Sequence, residues 1–173
     1  MPFPFFAAIA LIGAAIHLHR DTRPRSAART LEVLLVWWMV VAVGVAAIFG
    51  AMFHFFDGPD TAREIGFTNG DGGFQTEVGF GDLAIGVLGV LCIWFRDRFL
   101  LAAVVAVSIS YLGDAYGHLH QAAIHDNHAP DNTGLVLWSD FIVPLVAIAL
   151  YALRERALRG RRGEPDSVPA ADV

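Results

Sequence analysis

Five apolar stretches, residues 3–18, 31–56, 78–95, 99–116 and 138–153, are separated by connections too polar to extend them. A helix rises about 1.5 Å per residue, so a hydrocarbon layer about 30 Å thick takes about 20 residues to cross. The second stretch exceeds that length, the third and fourth approach it, and the first and last stand at its lower limit. Inside lipid the backbone has no water to bond, and segments of this kind satisfy themselves only as helices. Hydrophobic residues make up 55% of the chain and mean hydropathy is +0.53, more than one soluble core of this size needs. The expectation is an all-α, polytopic membrane helix bundle of about five spans, multi-pass in the cell (inner) membrane, with the lipid bilayer as its partner and no nucleic acid. Residues 1–156 form one helical domain. Residues 157–173, which turn to Gly, Pro, Ser, Ala and acid after Arg162, are expected to be a disordered cytoplasmic tail.

The basic residues alternate from one connection to the next. Arg20, Arg23, Arg25 and Arg29 lie between spans one and two, Arg96 and Arg98 between three and four, and Arg154, Arg156, Arg159, Arg161 and Arg162 at the end of span five. Arg63 is the sole basic residue in the other two connections. By the positive-inside rule the arginine-rich segments are cytoplasmic, giving an N-out, C-in arrangement. Residues 1–20 read as an uncleaved N-out anchor rather than a signal peptide, because the charge follows the apolar run. Cys92 lies within a span and reads as a packing residue.

Charges at membrane depth are the second constraint. Glu77, Asp82, Asp114, His118 and Asp140, with His54 beside them, all fall at the ends of spans that emerge opposite the arginines. An ionisable group in a hydrocarbon layer costs several kcal/mol unless it is paired, hydrated or bound to an ion. Gathered at one level, these residues suggest a single outward-facing site. Gly79, Asp82, Gly86 and Gly89 share one helical stripe, which turns Asp82 towards protein and lets a neighbouring backbone approach. Ser110, Tyr111, Asp114, His118 and Gln121 share another. Asp114 and His118 stand four residues apart and are expected to meet as a chelating or hydrogen-bonded pair. Pro144 cannot donate to the carbonyl of Asp140, which frees an oxygen beside that carboxylate; alternatively Ser139 and Asp140 begin the last helix as its cap and first acid. The tight link Arg96-Asp97-Arg98 makes spans three and four antiparallel neighbours.

Carboxylate and histidine sets suit iron, manganese or zinc, so the metal ligands expected are Glu77, Asp82, Asp114, His118 and Asp140, with His54 and His128 as additions. No Glu-x-x-His pair of the soluble di-iron bundles occurs. His120 and His125 read as solvated loop residues, and His17 and His19 as interfacial anchors on the arginine side. No hydrolase, Walker or Rossmann motif is present. The cluster Thr68-Asn69-Gly70-Asp71-Gly72-Gly73 predicts a tight turn.

The runs Phe74-Gln75-Thr76-Glu77-Val78-Gly79, Gly113-Asp114-Ala115-Tyr116-Gly117-His118 and Asn127-His128-Ala129-Pro130-Asp131-Asn132-Thr133-Gly134, followed by Asp140 and Pro144, resemble a family of small bacterial multi-spanning membrane proteins of unknown function. The resemblance covers about residues 74–145 and implies the architecture, with no activity, substrate or cofactor attached.

Three function classes fit these residues. The first is a metal-binding membrane protein, extending to a metal-dependent oxidoreductase. The second is a cation or proton-coupled transport protein using the same acids. The third is an accessory subunit of a homo-oligomer or of another membrane assembly, its acids bonded only to neighbouring helices. Beneath Asp82 and Asp114 the spans offer only Ser108 and Ser110 as polar groups, which favours a closed outward pocket over a through-path.

Overall fold

The computed structural model describes residues 3–162, which are helical with no strand among them. Eight α-helices and one π-helical segment are formed: α1 (Phe3–Arg20), α2 (Ala27–Trp37), the π segment (Trp38–Val45), α3 (Ala46–Phe56), α4 (Gly58–Ile65), α5 (Gly73–Leu91), α6 (Arg98–His125), α7 (Pro130–Thr133) and α8 (Leu135–Arg162). Five helices are long and apolar enough to cross a membrane, the second being α2, the π segment and α3 in one run. Large apolar side chains such as Phe80, Ile109 and Leu145 are exposed along them, as a lipid-facing surface requires.

Several helices extend beyond the apolar runs. α6 continues to His125, so His118 and His120 are helical rather than part of a loop, and the second long connection shrinks to the segment around α7. α8 begins at Leu135, with the Trp138 N–H on the Gly134 carbonyl. Ser139 and Asp140 therefore lie a turn inside the helix, and the capping reading of those residues is set aside. α8 runs to Arg162, taking in the first six residues assigned to the tail; residues 163–173 lie outside the described residues. The first long connection contains α4, closed by Gly66 at φ 83°, and the expected turn forms with Gly70 and Gly72 at positive φ and the Gly72 N–H on the Asn69 carbonyl.

Spans three and four are joined by the short link but are not each other's main neighbours. α5 lies along α3 and the π segment, α6 lies along α8, and α5 and α6 touch only sparingly. The glycine stripe explains this preference. A Cβ on Gly89 would stand 2.5 Å from the Met39 carbonyl oxygen, and one on Gly86 would stand 2.6 Å from Ile48. The backbones are thus in contact, the means by which spans associate where there is no hydrophobic drive between them.

The dry core fills the arginine-side half of the bundle. Leu35, Met39, Val43, Leu100, Val107, Val143 and Ala147 are buried there. Trp38 crosses this layer and donates its indole N–H to the Val143 carbonyl at 3.0 Å, next to buried Pro144. Towards the opposite face a space bounded by α3, α5, α6 and α8 is open.

Candidate functional site

That opening is a cavity of about 730 Å³, in the size range of small-molecule pockets. Each of the surrounding spans contributes polar groups to it. α3 brings His54, α5 brings Asp82, α6 brings Tyr111, Asp114, His118 and Gln121, and α8 brings Ser139 and Asp140, over an apolar floor that includes Phe3, Phe6 and Val143. Glu64 and Asp131 stand among the lining residues from the connections. The lining thus holds five carboxylates and no arginine, and the chain contains no lysine.

Two histidine–aspartate pairs organise the polar wall. His54 Nε2 lies 3.7 Å from Asp82 Oδ2, and His118 Nε2 lies 3.5 Å from Asp140 Oδ2. His54 is buried, as is Asp140. Behind each ring stands a side-chain amide: Gln75 Oε1 is 2.6 Å from His54 Nδ1, and Asn132 Oδ1 is 2.9 Å from His118 Nδ1. Both amides are buried. Asn132 is held in one orientation, because its Nδ2 donates to the carbonyls of His118 at 3.2 Å and Asn127 at 2.7 Å. Its oxygen must then accept, and His118 Nδ1 carries the proton. The Nε2 facing Asp140 is consequently a lone pair in the neutral ring, and two acceptors face each other unless a proton or a cation stands between them.

Asn127 extends this network. Its Nδ2 donates to the Ile65 carbonyl at 2.9 Å, tying the end of α4 to the segment that holds Asn132. The two long connections opposite the arginines are thereby joined beside the cavity.

A family model, described as a family of unknown function (DUF6790), matches residues 1–160. The chain belongs to this family. No curated protein and no solved structure matches it. The match takes in all five spans, more than the residues 74–145 on which the resemblance was read. The family carries no activity to its members, so the geometry alone speaks for the site.

The expected site residues divide. Asp82, Asp114, His118, Asp140 and His54 line the one cavity. Glu77 is exposed on α5 and does not line it; His54 and Asp82 meet through the face of α5 that carries Gly79, and Glu77 is turned away from that face. His128 is exposed, outside the cavity lining, and paired with exposed Asp126 at 3.1 Å. The Asp114–His118 pair expected within α6 is replaced by the pairing of His118 with Asp140 on α8, and Asp114 forms no ion pair among the described residues. Nor do three His, Cys, Asp or Glu groups among the described residues come together as a set able to hold a metal ion; the arrangement is two pairs, not one cluster. Gln75 and Asn132 are the positioning residues that the sequence reading passed over. A glutamine opening an apolar run, and an asparagine in the Pro130–Thr133 turn, were the signals available.

Proposed function

We propose that this membrane protein receives a cation in its outward cavity, with His54–Asp82 and His118–Asp140 as the points of contact and Asp114 between them. The observation that carries the reading is the His118–Asp140 pair: an imidazole lone pair is aimed at a carboxylate in a cavity that no arginine lines. Two ligands at bond lengths of about 2.1 Å around a tetrahedral ion stand about 3.4 Å apart. The separations of 3.5 and 3.7 Å match such an edge, and an acceptor on the far nitrogen is the usual support of a metal-binding histidine. Each pair therefore supplies two ligands for iron, manganese or zinc, with the remaining positions left to water or substrate. A metal-dependent oxidoreductase would use such open positions.

Transport finds less support. Beneath the cavity Ser108 donates to its own helix at Val104, 2.7 Å away, and the layer around Leu100 and Val107 is buried and apolar. This supports a pocket closed towards the arginine side.

Elemental analysis of protein purified in mild detergent, wild type beside His118→Ala and Asp140→Asn, tests the metal form, which requires bound metal to be lost in both variants. Melting temperature between about pH 5 and 8, with and without chelator, separates the alternatives across the histidine range. A metal-filled cavity loses stability in acid and with chelator, because protons compete for the ligands. Stability that rises in acid and ignores chelator would overturn the metal form in favour of carboxylates sharing protons, as in a proton-coupled protein or an accessory subunit.

A further inference from the structure

At the opposite end of the bundle a second cleft, about 510 Å³, lies where the connection between α1 and α2 folds back, lined by His17, Arg20, Thr22, Arg23, Arg29 and Trp37 among others. Trp37 has its place there because Gly13 lacks a side chain; a Cβ at that position would overlap the indole ring. The Trp37 indole N–H donates to His17 Nδ1 at 3.2 Å, and Arg29 Nη2 stands 3.2 Å from His17 Nε2. Indole and guanidinium only donate, and a neutral imidazole accepts through one nitrogen. With Nδ1 taken by Trp37, the proton sits on Nε2 and two donors, His17 Nε2–H and Arg29 Nη2–H, lie side by side. Moving the proton to Nδ1 only transfers the conflict to Trp37, and charging the ring doubles it.

The rest of Arg29 is committed. Its Nε bonds Asp21 at 2.7 Å, and Nη1 faces Glu32 at 3.7 Å. Arg20 and Arg23 are exposed at the rim; the Arg23 backbone N–H bonds Asp21, but neither guanidinium forms an ion pair among the described residues. The lining therefore carries three arginines against one acid, Asp21. What resolves adjacent donors beside surplus positive charge is an anion presenting more than one oxygen.

From this geometry we infer that the cleft binds a phosphoryl anion, held between His17 Nε2–H and Arg29 Nη2–H and drawn in by Arg20 and Arg23. Its place at the arginine-rich ends of two spans suits the phosphate of a lipid headgroup. The site is independent of the outward cavity.

The test uses the full chain in nanodiscs of phosphatidylcholine, with or without phosphatidylglycerol, and in detergent with inorganic phosphate. The melting temperature should rise with phosphatidylglycerol, and native mass spectrometry should show the anionic lipid retained. Arg20→Gln with Arg23→Gln, both exposed and safe for folding, should weaken that retention about tenfold or more, and Arg29→Gln should abolish it. Arg156→Gln with Arg159→Gln, on the same face but outside the cleft, should leave it unchanged. A response to inorganic phosphate alone, lost in the same variants, would support the site and assign it to a soluble phosphoryl ligand. Equal retention in the cleft and control pairs, or no response to either probe, would overturn the proposal.

Discussion

His54 and Asp82 stand on different spans, and they meet because the helix carrying Asp82 lies directly on the one carrying His54. The 3.7 Å separation of their side chains depends on Gly79, where a Cβ would stand 2.6 Å from the Phe55 ring, and on Gly86 against Ile48. The pair is thus a product of close helix approach about one turn to either side of Asp82.

Filling the stripe should separate the helices. Gly86→Ala and Gly89→Ala insert a methyl against backbone that cannot yield, and overpacking of this kind costs about 1–3 kcal/mol. Melting temperature in detergent should fall in both. Gly81→Ala, where nothing lies within 4 Å, should be neutral or stabilising by up to about 1 kcal/mol. Equal behaviour of the three variants would contradict the close approach.

Asn132 is fully buried and its amide meets His118 twice, once at the ring and once at the carbonyl. Asn132→Leu keeps the branched shape and leaves the His118 ring N–H and the Asn127 carbonyl without these partners, for a loss of about 1–3 kcal/mol per buried group so exposed to desolvation. Asp126→Asn, at a highly exposed position, should cost nothing measurable. Thermal unfolding of the two variants beside wild type checks this.

Asp21 gives a pH dependence on the arginine face. Its hydrogen bond from Arg29, helped by the Arg23 N–H, holds the carboxyl below the usual carboxylate range. A folded pKa below the unfolded one contributes stability that is present above the unfolded value of about 3.9 and is lost as pH falls through the folded value. The difference in melting temperature between wild type and Asp21→Asn should be constant near neutrality and shrink below about pH 4. A difference that grows in acid would reverse the sign and refute the assignment.

The arginine distribution predicts which face is cytoplasmic. A reporter fused after Arg162 should be active only in its cytoplasmic form, and one inserted between Gly70 and Asp71 only in its exported form. The opposite pattern would invert the bundle.

Much of this architecture was legible because lipid imposes length and composition on each span, and the periodicity of α5 and α6 placed Asp82 and His118 on inward stripes. What periodicity cannot convey is which helix lies across from a stripe. Asp114 and His118 are neighbours along α6, yet His118 turns to Asp140 because α8 is the helix beside it. Glu77 is one position in sequence from Val78 at the cavity rim and points elsewhere. The end of α6 was misplaced for a different reason: apolarity stops where the membrane does, while the hydrogen-bond ladder continues two turns further, to His125. Gln75 and Asn132 were overlooked because an uncharged amide near a span end carries no mark of burial.

The π segment gives the second span an unusual tolerance. Its bonds reach back five residues, as in the Ala46 N–H to the Val41 carbonyl, so the stretch from Trp38 to Val45 holds more chain than an α-ladder of the same turns requires. A relative shorter by one residue within this stretch would revert to plain α-helix there and keep the faces above and below in step, with His54 still directed at the cavity. The same deletion a few residues to either side would swing everything beyond it by about 100°. Among relatives, gaps in the second span should therefore collect between residues 38 and 45, and a gap elsewhere in it should coincide with loss of the histidine.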